Sequence, residues 1–323
     1  MKKYQRFLGR YANLLLLALL CLVAAAFSSS FFSTRNLSNI LKQSCILGVL
    51  TIGLSNILIS GHMDLSIGAQ VSFTGLLVIA LQKELPVGLA ILAVLLAGCF
   101  LGMLNGLVVV LFHANSGGSL MITYGTGLLF SAMSLIYTQG FTLEGSDSAF
   151  YEQIGIGTLP IGSVGWYISY SMVIFVLLAL LLGVLEGRTI FGRAIHMTGY
   201  NEECTRLSGI KPSRHILASY MIMGVMSAVA AILLTSRVSG ANPTAGDGYE
   251  MDAIIAAVLG GISLAGGKGS VPRAVLGVIT FQVLSNAMNL IGFGTYDQTI
   301  VKGVVLILAI AFDTWNRKQL GKA

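Results

Sequence analysis

Asp64 is the carboxylate of the sequence with the least polar surroundings, since the stretch SGHMDLSIG (60–68) that holds it lies between long apolar runs. A carboxylate among apolar groups is costly unless it faces other polar protein groups or a water-filled path. Asp64 could therefore line or gate a path for a polar solute. It could also cap the helix that follows, by accepting hydrogen bonds from the amides near Ile67. The residue types leave both roles open.

Amide side chains form a second group of candidates for such a path. Asn105, Asn286 and Asn289 lie in strongly apolar stretches, where amides often hydrogen-bond between helices. Asn286 and Asn289 are three residues apart, which places them on one face of a helix. Each amide alone is typical of a hydrogen bond between helices, whereas the pair is better evidence for a polar path through the membrane. The predicted path residues are Asp64, Ser66, Asn105, Asn286 and Asn289.

The sequence contains no motif for catalysis or metal binding. The four histidines (62, 113, 196 and 215) stand outside any GxSxG or HExxH context, and the four cysteines show no CxxC spacing. No acidic pair suggests general acid–base chemistry, and no Walker sequence would bind a nucleotide. We expect no enzyme activity, no metal site and no cofactor bound by this chain.

The elements that must position these side chains are membrane helices. The chain of 323 residues is 55% hydrophobic and only 10% charged, whereas soluble domains carry about 25% charged residues. This composition predicts an all-α polytopic membrane protein with a single transmembrane domain over 1–323. The net charge of +6 does not indicate nucleic-acid binding, because the basic residues stand between apolar runs. The ten predicted spans are about 12–31, 38–60, 66–82, 87–112, 120–139, 166–186, 216–238, 252–267, 272–291 and 296–314.

The basic residues predict the orientation of these spans in the lipid bilayer. With the N-terminus in the cytoplasm, most of the nineteen Lys and Arg residues fall in inside segments. The longest outside segment, 140–165, carries Glu144, Asp147 and Glu152 but no Lys or Arg. This is the positive-inside pattern, so both termini are predicted to be cytoplasmic. The outside segment could dock a soluble partner or simply connect two helices.

Two glycine-dense stretches are predicted to break helices. The first contains Gly61 and Gly68, and the second, LGGISLAGGKGS (259–270), contains Gly260, Gly261, Gly266 and Gly267. The stretches 61–65 and 260–264 share a Gly-x-x-x-Leu outline, and matching broken helices recur in transporters, with the solute site near the midplane. The ten spans place both breaks on one side, whereas an inverted repeat would place them on opposite sides. One of the two segments could be re-entrant.

The segment 187–215 is the longest predicted cytoplasmic loop. Asn201 can cap a helix whose first turn carries Glu202 and Glu203, and Gly209 fits its C-terminal end. The pattern predicts a helix of about two turns, which is marginal on its own in water. It could pack on a partner or lie on the membrane surface as a linker, and the residues alone leave both open.

Several stretches resemble the permease subunits of ATP-binding cassette importers for ribose, galactose, xylose and related sugars. They are GHMDLSIGAQVSFTG (61–75), TIFGRAIHMTGYNEECTRLSGIKPSR (189–214), GDGYEMDAIIAAVLGGISLAGGKGSV (246–271), NAMNLIGF (286–293) and VKGVVLILAIAFD (301–313). The resemblance implies a bacterial inner-membrane protein that pairs with an identical or sister permease. It also implies cytoplasmic ATPase subunits, which use ATP and Mg, and an extracytoplasmic sugar-binding protein.

The resemblance also assigns a role to the polar loop, because in such permeases the matching segment forms a coupling helix in a groove of the ATPase. The residues assigned in this way are Gly199, Asn201, Glu202, Glu203, Arg206, Leu207, Ser208, Gly209 and Ile210. Import of a monosaccharide or sugar-like ligand by alternating access is the implied function. An ion-coupled secondary transporter of a small polar solute is the alternative, and Asp64 would be its coupling group.

The chain departs from the family pattern at three places. His62-Met63 stand where the family has Gly-Ile at the first break, and Cys204-Thr205 stand where it has two alanines. The stretch ANSGGSLMITYGTG (114–127) replaces a Pro-containing pattern. These departures leave the particular sugar unassigned.

Overall fold

The computed structural model describes residues 2–145, 148–161 and 166–320, so Asp147 of the predicted outside segment lies outside the described residues. The helices are α1 (Lys2–Phe27), α2 (Thr34–Ile59), α3 (Ile67–Leu81), α4 (Val87–Leu111), α5 (Ser116–Thr138), α6 (Ala149–Ile156), α7 (Tyr170–Arg188), α8 (Ile190–Tyr200), α9 (Glu202–Leu207), α10 (Pro212–Val238), α11 (Tyr249–Leu259), α12 (Val271–Ile291) and α13 (Thr295–Leu320). The strands are β1 (Leu143–Glu144), β2 (Thr158–Ile161), β3 (Trp166–Ser169) and β4 (Gly240–Ala241). They form two antiparallel ribbons, β1 with β4 and β2 with β3.

The helices confirm the predicted class of protein. Six helices of the described chain (α2, α4, α5, α7, α10 and α12) are long and apolar enough to cross a membrane. Two shorter apolar helical stretches, Asn13–Phe27 and Ile67–Leu81, accompany them. Each of the ten predicted spans overlaps a helix, but six rather than ten have the length and composition of a complete crossing. The chain is a mostly helical, multi-pass membrane protein, and the orientation of its termini stays a prediction.

The predicted span 252–267 is wrong over its second half. Helix α11 ends at Leu259, and turns replace the helix after it. Gly261, Gly266 and Gly267 have φ angles of +86°, +84° and +77°, a left-handed conformation that stops an α-helix. With 11 residues, α11 is about 16 Å long, roughly half the thickness of a hydrocarbon core.

The predicted span 166–186 begins too early. Its first four residues form β3, which pairs with β2, and α7 begins only at Tyr170. The Ser169 hydroxyl caps this helix by accepting from the Met172 amide at 3.3 Å, which fixes the start of the span. Helices α6 and α8 were not predicted from the sequence.

Helix α2 forms the centre of the molecule. All its residues from Ser44 to Ile59 are buried, and it packs against α7, α10, α11 and α12. Its hydroxyl groups bond to the preceding turn of the helix, as Thr51 does to the Leu47 carbonyl at 2.7 Å. Hydroxyl groups that are satisfied in this way allow apolar neighbours to surround the helix.

A stripe of small residues joins α4 to α10. Gly98, Gly102 and Gly106 are spaced four apart and face Tyr220 and Gly224, and a Cβ at Gly98 or Gly102 would overlap the backbone of α10. Small residues at this spacing let two membrane helices approach closely. We call the end of the molecule with α9 the inner end, and the opposite end, with the β1–β4 ribbon, the outer end. Helix α10 begins shortly after α9 and runs to the outer end.

Candidate functional site

Helix α9 is the exposed centre of the predicted coupling segment. Asn201 caps it, because its Oδ1 accepts from an amide of the first turn at 2.9 Å. Glu203 and Arg206 form an exposed ion pair at 2.8 Å, and the Leu207 side chain is 79% exposed. Gly209 follows with a φ angle of +81°. The short helix and the cap that the sequence predicts are therefore confirmed.

Thr205 is the residue of α9 that faces inward. It is the one buried residue of the stretch 201–209, and its hydroxyl donates to the Asn201 carbonyl at 2.8 Å. Cys204, the other residue that departs from the family's two alanines, is exposed. The departure at Thr205 therefore affects the inner packing of the helix, whereas the departure at Cys204 changes its outer surface.

Gly199, at the end of α8, lies where the two glycine-dense breaks meet. A Cβ at Gly199 would overlap the Ile59 carbonyl oxygen and the Gly267 amide nitrogen, and a Cβ at Gly266 would lie 2.8 Å from the Gly61 Cα. The Gly267 amide donates to the Ile59 carbonyl at 2.8 Å. We call Gly61, Gly199, Gly266 and Gly267 the glycine junction. No side chains separate these backbones, so the end of α8 contacts both breaks directly.

His196 fastens α8 beside the glycine junction. Its Nε2 lies 3.0 Å from a carboxylate oxygen of Glu186 in α7, and its Nδ1 lies 2.9 Å from the Gly267 carbonyl oxygen. The second oxygen of Glu186 accepts from the Val271 amide at 2.8 Å. Both ring nitrogens face acceptors, which only the protonated imidazolium satisfies fully. The hydrogen bond to Glu186 raises the pKa of His196 above its ordinary value of 6.5.

Raising the pH should weaken this fastening. Because the pKa of His196 is higher in the folded protein than in the unfolded chain, the stabilisation is complete below the unfolded pKa of about 6.5. It is lost as the pH rises through the folded-state pKa. The melting temperature of the purified wild type should therefore approach that of His196→Gln as the pH rises above about 6.5. His113→Gln, in the turn after α4, controls for the loss of a histidine elsewhere, and a pH-independent gap for His196→Gln would contradict the prediction.

Asp64 is buried in a polar cluster with Ser66, Gln70 and Asn105. Its Oδ1 accepts from the Ser66 amide at 2.8 Å and from the Ser66 hydroxyl at 2.5 Å. The Ser66 oxygen in turn accepts from the side-chain amides of Asn105 and Gln70, both at 2.7 Å. These four residues form the Asp64 cluster, which ties the first break to α3 and α4. Asp64 accepts from Ser66, the residue before α3, and from no amide within that helix, so its role as a cap and its role in a path both stay predictions.

The Asp64 cluster lies about halfway along α5. The Leu65 amide donates to the Thr123 hydroxyl at 3.0 Å, and Ser66 lies against Gly127. Gly127 is close to the middle of α5, which extends over Ser116–Thr138. The first break therefore runs from the inner end of α2 to about the middle of a membrane helix before α3 begins.

A second non-helical segment, 239–248, crosses the first turn of α3 at this depth. A Cβ at Gly68 would overlap the Gly246 carbonyl oxygen, and a Cβ at Gly246 would overlap the Gly68 carbonyl oxygen. From this crossing α3 runs to the outer ribbon, and α11 runs to the segment that enters the glycine junction. Two half-length helices thus leave the crossing in opposite directions. The predicted likeness of 61–65 and 260–264 extends to their backbones, because Gly61 and Gly261 end α2 and α11 with φ angles of +84° and +86° and matching hydrogen bonds.

Asp64→Asn should leave the protein folded. Asparagine keeps one acceptor oxygen for Ser66, so we expect a loss of stability below about 1 kcal/mol. Asp64→Leu removes both acceptors, leaves the buried Ser66 groups without their partner, and should cost about 2–3 kcal/mol. Melting temperatures of the two purified variants check this order. Loss of transport by a normally stable Asp64→Asn protein would assign Asp64 to the path.

Asn286 and Asn289 lie apart from the Asp64 cluster, near the outer end of α12. Asn286 and Asn36 exchange hydrogen bonds in both directions, at 2.9 and 2.8 Å. Asn289 accepts from the Gln298 side chain at 2.9 Å. The structure therefore brings three of the five predicted path residues together and places the other two in contacts between helices.

A cavity of about 340 Å³ lies between α2, α11 and α12, next to the outer end of α10. We call it the outer cavity. Its volume falls in the usual range of small-molecule sites, about 300–1,000 Å³. The polar side chains that line it are Gln43, Arg237, Asp247, Tyr249, Asp252, Gln282 and Ser285. None of these residues belongs to the predicted path.

Comparison with known families identifies the class of this protein. Residues 36–310 match a family model described as a branched-chain amino acid transport system permease component. The chain belongs to this permease family. Permease subunits of this kind are not themselves enzymes.

Three relatives are similar to the permease over nearly its whole length. The ribose import permease protein of Haemophilus influenzae is 34% identical over 315 residues, which cover 96% of this chain and 94% of the relative. The galactose/methyl galactoside import permease protein of the same organism is 32% identical over 317 residues, covering 93% and 92%. The xylose transport system permease protein of Escherichia coli is 33% identical over 347 residues, covering 90% and 87%. No solved structure matches.

Sequence reasoning missed the cavity of this permease, although one signal for it was present. Three acids, Asp247, Glu250 and Asp252, occur within six residues of an otherwise apolar chain. Two of them line the outer cavity. Such a concentration of charge beside a membrane helix is a hypothesis for a functional site by default.

Proposed function

We propose that this permease is the transmembrane subunit of an ATP-binding cassette importer for a monosaccharide or sugar-like ligand in a bacterial inner membrane. The observation that carries the proposal is the end-to-end similarity to permeases named for ribose, galactose and xylose. The family description names branched-chain amino acids instead. Relatives that cover both chains almost fully are the better guide to substrate class than a description of the whole family.

The proposed contact with the ATPase is the exposed side of α9. Glu202, Glu203 and Leu207 are exposed there, and they present two charges and an apolar group to a groove. The contact set is Gly199, Asn201, Glu202, Glu203, Arg206, Leu207, Ser208, Gly209 and Ile210. Within this set, Gly199 acts by bringing α8 onto the glycine junction, because its position tolerates no side chain.

The proposed assembly contains three further kinds of subunit. A second permease, identical or a paralogue, completes the translocation path, and cytoplasmic ATPase subunits bind ATP and Mg. An extracytoplasmic binding protein delivers the sugar at the outer end. The permease itself contributes the path and the mechanical link, and it binds no cofactor.

The proposed mechanism is alternating access. Closure of the ATPase subunits on ATP moves α9, and with it the end of α8 at Gly199. Because the glycine junction joins this point to both breaks, the motion reaches the half-length helices α3 and α11. A change in their angle at the crossing would open the path to one side and close it to the other.

Transport measurements test the proposal. Proteoliposomes that contain the permease with its ATPase, and with ATP enclosed on the ATPase side, should take up at least one of labelled ribose, galactose and xylose. Uptake should require ATP and the binding protein and should be insensitive to dissipation of ion gradients. Uptake driven by a proton or sodium gradient without ATP would overturn the proposal in favour of a secondary transporter.

A further inference from the structure

Lys302 of α13 organises one wall of the outer cavity. Its ammonium group lies 2.9 Å from each carboxylate oxygen of Asp252 in α11. The same group lies 5.4 Å from the centre of the Phe281 ring in α12. Three helices are joined at this point. The Asp252 carboxylate is therefore held in one orientation and its charge is compensated, while its remaining lone pairs can still accept hydrogen bonds.

Two further charged side chains line the cavity without a partner. Within the described part of the chain, the Arg237 guanidinium and the Asp247 carboxylate form no ion pair and no side-chain hydrogen bond. With Lys302 and Asp252, they give the cavity region two positive and two negative charges. These charges sum to zero, so the cavity offers no net attraction to a ligand of either sign. The charge balance therefore favours a neutral ligand.

The neutral part of the lining separates the two ligand classes that the comparisons name. A zwitterionic branched-chain amino acid could pair with Arg237 and Asp247. Its apolar side chain would then meet Gln43, Gln282 and Ser285, and would remove their polar groups from water without replacing the hydrogen bonds. The hydroxyl groups of a sugar both donate and accept, so they satisfy amides, hydroxyls and carboxylates alike.

We propose that the outer cavity is a site where a single permease chain holds a neutral polyhydroxylated ligand, a monosaccharide, on its way through the membrane. Asp247 and Arg237 bind hydroxyl groups of the ligand directly, and Lys302 orients Asp252 for the same purpose. The inference rests on the proposed function and adds the location and the residues of the site. It places the site in the outer cavity between α2, α11 and α12, where the volume and the polar lining can hold a ligand, and not at the Asp64 cluster.

The test compares sugar transport with ATP hydrolysis in the full transporter. Permease, ATPase and binding protein are reconstituted with labelled ribose, galactose and xylose, and Asp247→Asn and Arg237→Gln are compared with wild type. Sugar carried per ATP hydrolysed should fall about tenfold in each variant, as expected for one charge-assisted hydrogen bond. The loaded binding protein should still stimulate ATP hydrolysis. Glu144→Gln is the matched control, because it removes an exposed outer carboxylate that does not line the cavity.

A labelling experiment tests the same proposal independently, in case Asp247→Asn or Arg237→Gln folds poorly. Ser285→Cys lines the cavity and Thr142→Cys is an exposed outer control, each in a chain whose native cysteines are replaced by serine. Saturating sugar should slow maleimide labelling of Ser285→Cys during transport and leave that of Thr142→Cys unchanged.

The outcomes separate the two proposals. A wild type that carries leucine, isoleucine or valine and none of the three sugars overturns both. A wild type that carries sugar, with cavity variants equal to Glu144→Gln and labelling of Ser285→Cys unaffected by sugar, overturns the site alone. The site is supported if the cavity variants carry less sugar per ATP hydrolysed and if sugar slows maleimide labelling of Ser285→Cys.

Discussion

Gly246→Ala should destabilise the permease by about 3 kcal/mol or more, at or beyond the upper end of the usual cost of overpacking. The added methyl group would overlap the Gly68 carbonyl and would lie about 3.0 Å from the Ser72 hydroxyl oxygen. Neither neighbour can turn aside freely, because the first is backbone and the second accepts from the Gly246 amide at 2.9 Å. The contact between segment 239–248 and the first turn of α3 would have to open, and α11 starts directly after that segment.

Gly125→Ala is the matched control for this substitution. Gly125 lies on the exposed side of α5, and a Cβ there would meet no atom within 4 Å. Alanine in an open helical position gains about 0.5–1 kcal/mol over glycine, so this variant should melt at or slightly above the wild-type temperature. Melting in detergent, followed by size-exclusion chromatography, measures both. Wild-type melting of Gly246→Ala would show that the crossing is loosely packed.

Reversing both acids of α9, with Glu202→Lys and Glu203→Lys, should reduce uptake more than tenfold while the permease still inserts and folds. The change places two positive charges at the positive end of the α9 dipole, a local cost of about 0.3–1 kcal/mol each. It also replaces the acids that we propose meet the ATPase, where opposed like charges cost several kcal/mol. Each 1.4 kcal/mol is about tenfold in affinity, so ATPase recovery and uptake should both fall more than tenfold.

The control for charge reversal carries the same change at the other end of the molecule. Glu84→Lys with Glu144→Lys alters two exposed acids in the α3–α4 turn and beside the outer ribbon. This variant should co-purify with the ATPase at the wild-type level. If the α9 variant also co-purifies and transports normally, α9 is a surface linker and the coupling proposal fails.

Local patterns predicted the positions of the helices and the capped helix α9 because their causes are local. Asn201 with two acids after it specifies a helix start, whatever else the chain does. The length of α11 was wrong because its hydrophobic run continues past Leu259, whereas positive φ angles at Gly261 and Gly266 end the helix. Hydropathy does not register backbone conformation, so it extended the span to residue 267.

The site could be predicted only in part, because most of its contacts join distant parts of the chain. Asp64 and Ser66 are neighbours in sequence, but Asn105 reaches them from another helix. Gln43 and Gln282 lie more than two hundred residues apart and line one cavity. The sequence shows the type of each residue. It does not show which distant residue each one contacts, because helix packing decides that contact.

Helix α10 connects the inner end of the molecule to the outer end in one continuous helix. Its 27 residues form an uninterrupted rod of about 40 Å, so a tilt of about 5° at the α9 end displaces the other end by about 3.5 Å. That far end carries Arg237, which lines the outer cavity. Gly98, Gly102 and Gly106 pack α4 closely against α10, so the two helices would move together as a rigid pair. In the proposed mechanism, a tilt of α10 by a few degrees would shift the Arg237 side chain within the outer cavity by several ångströms.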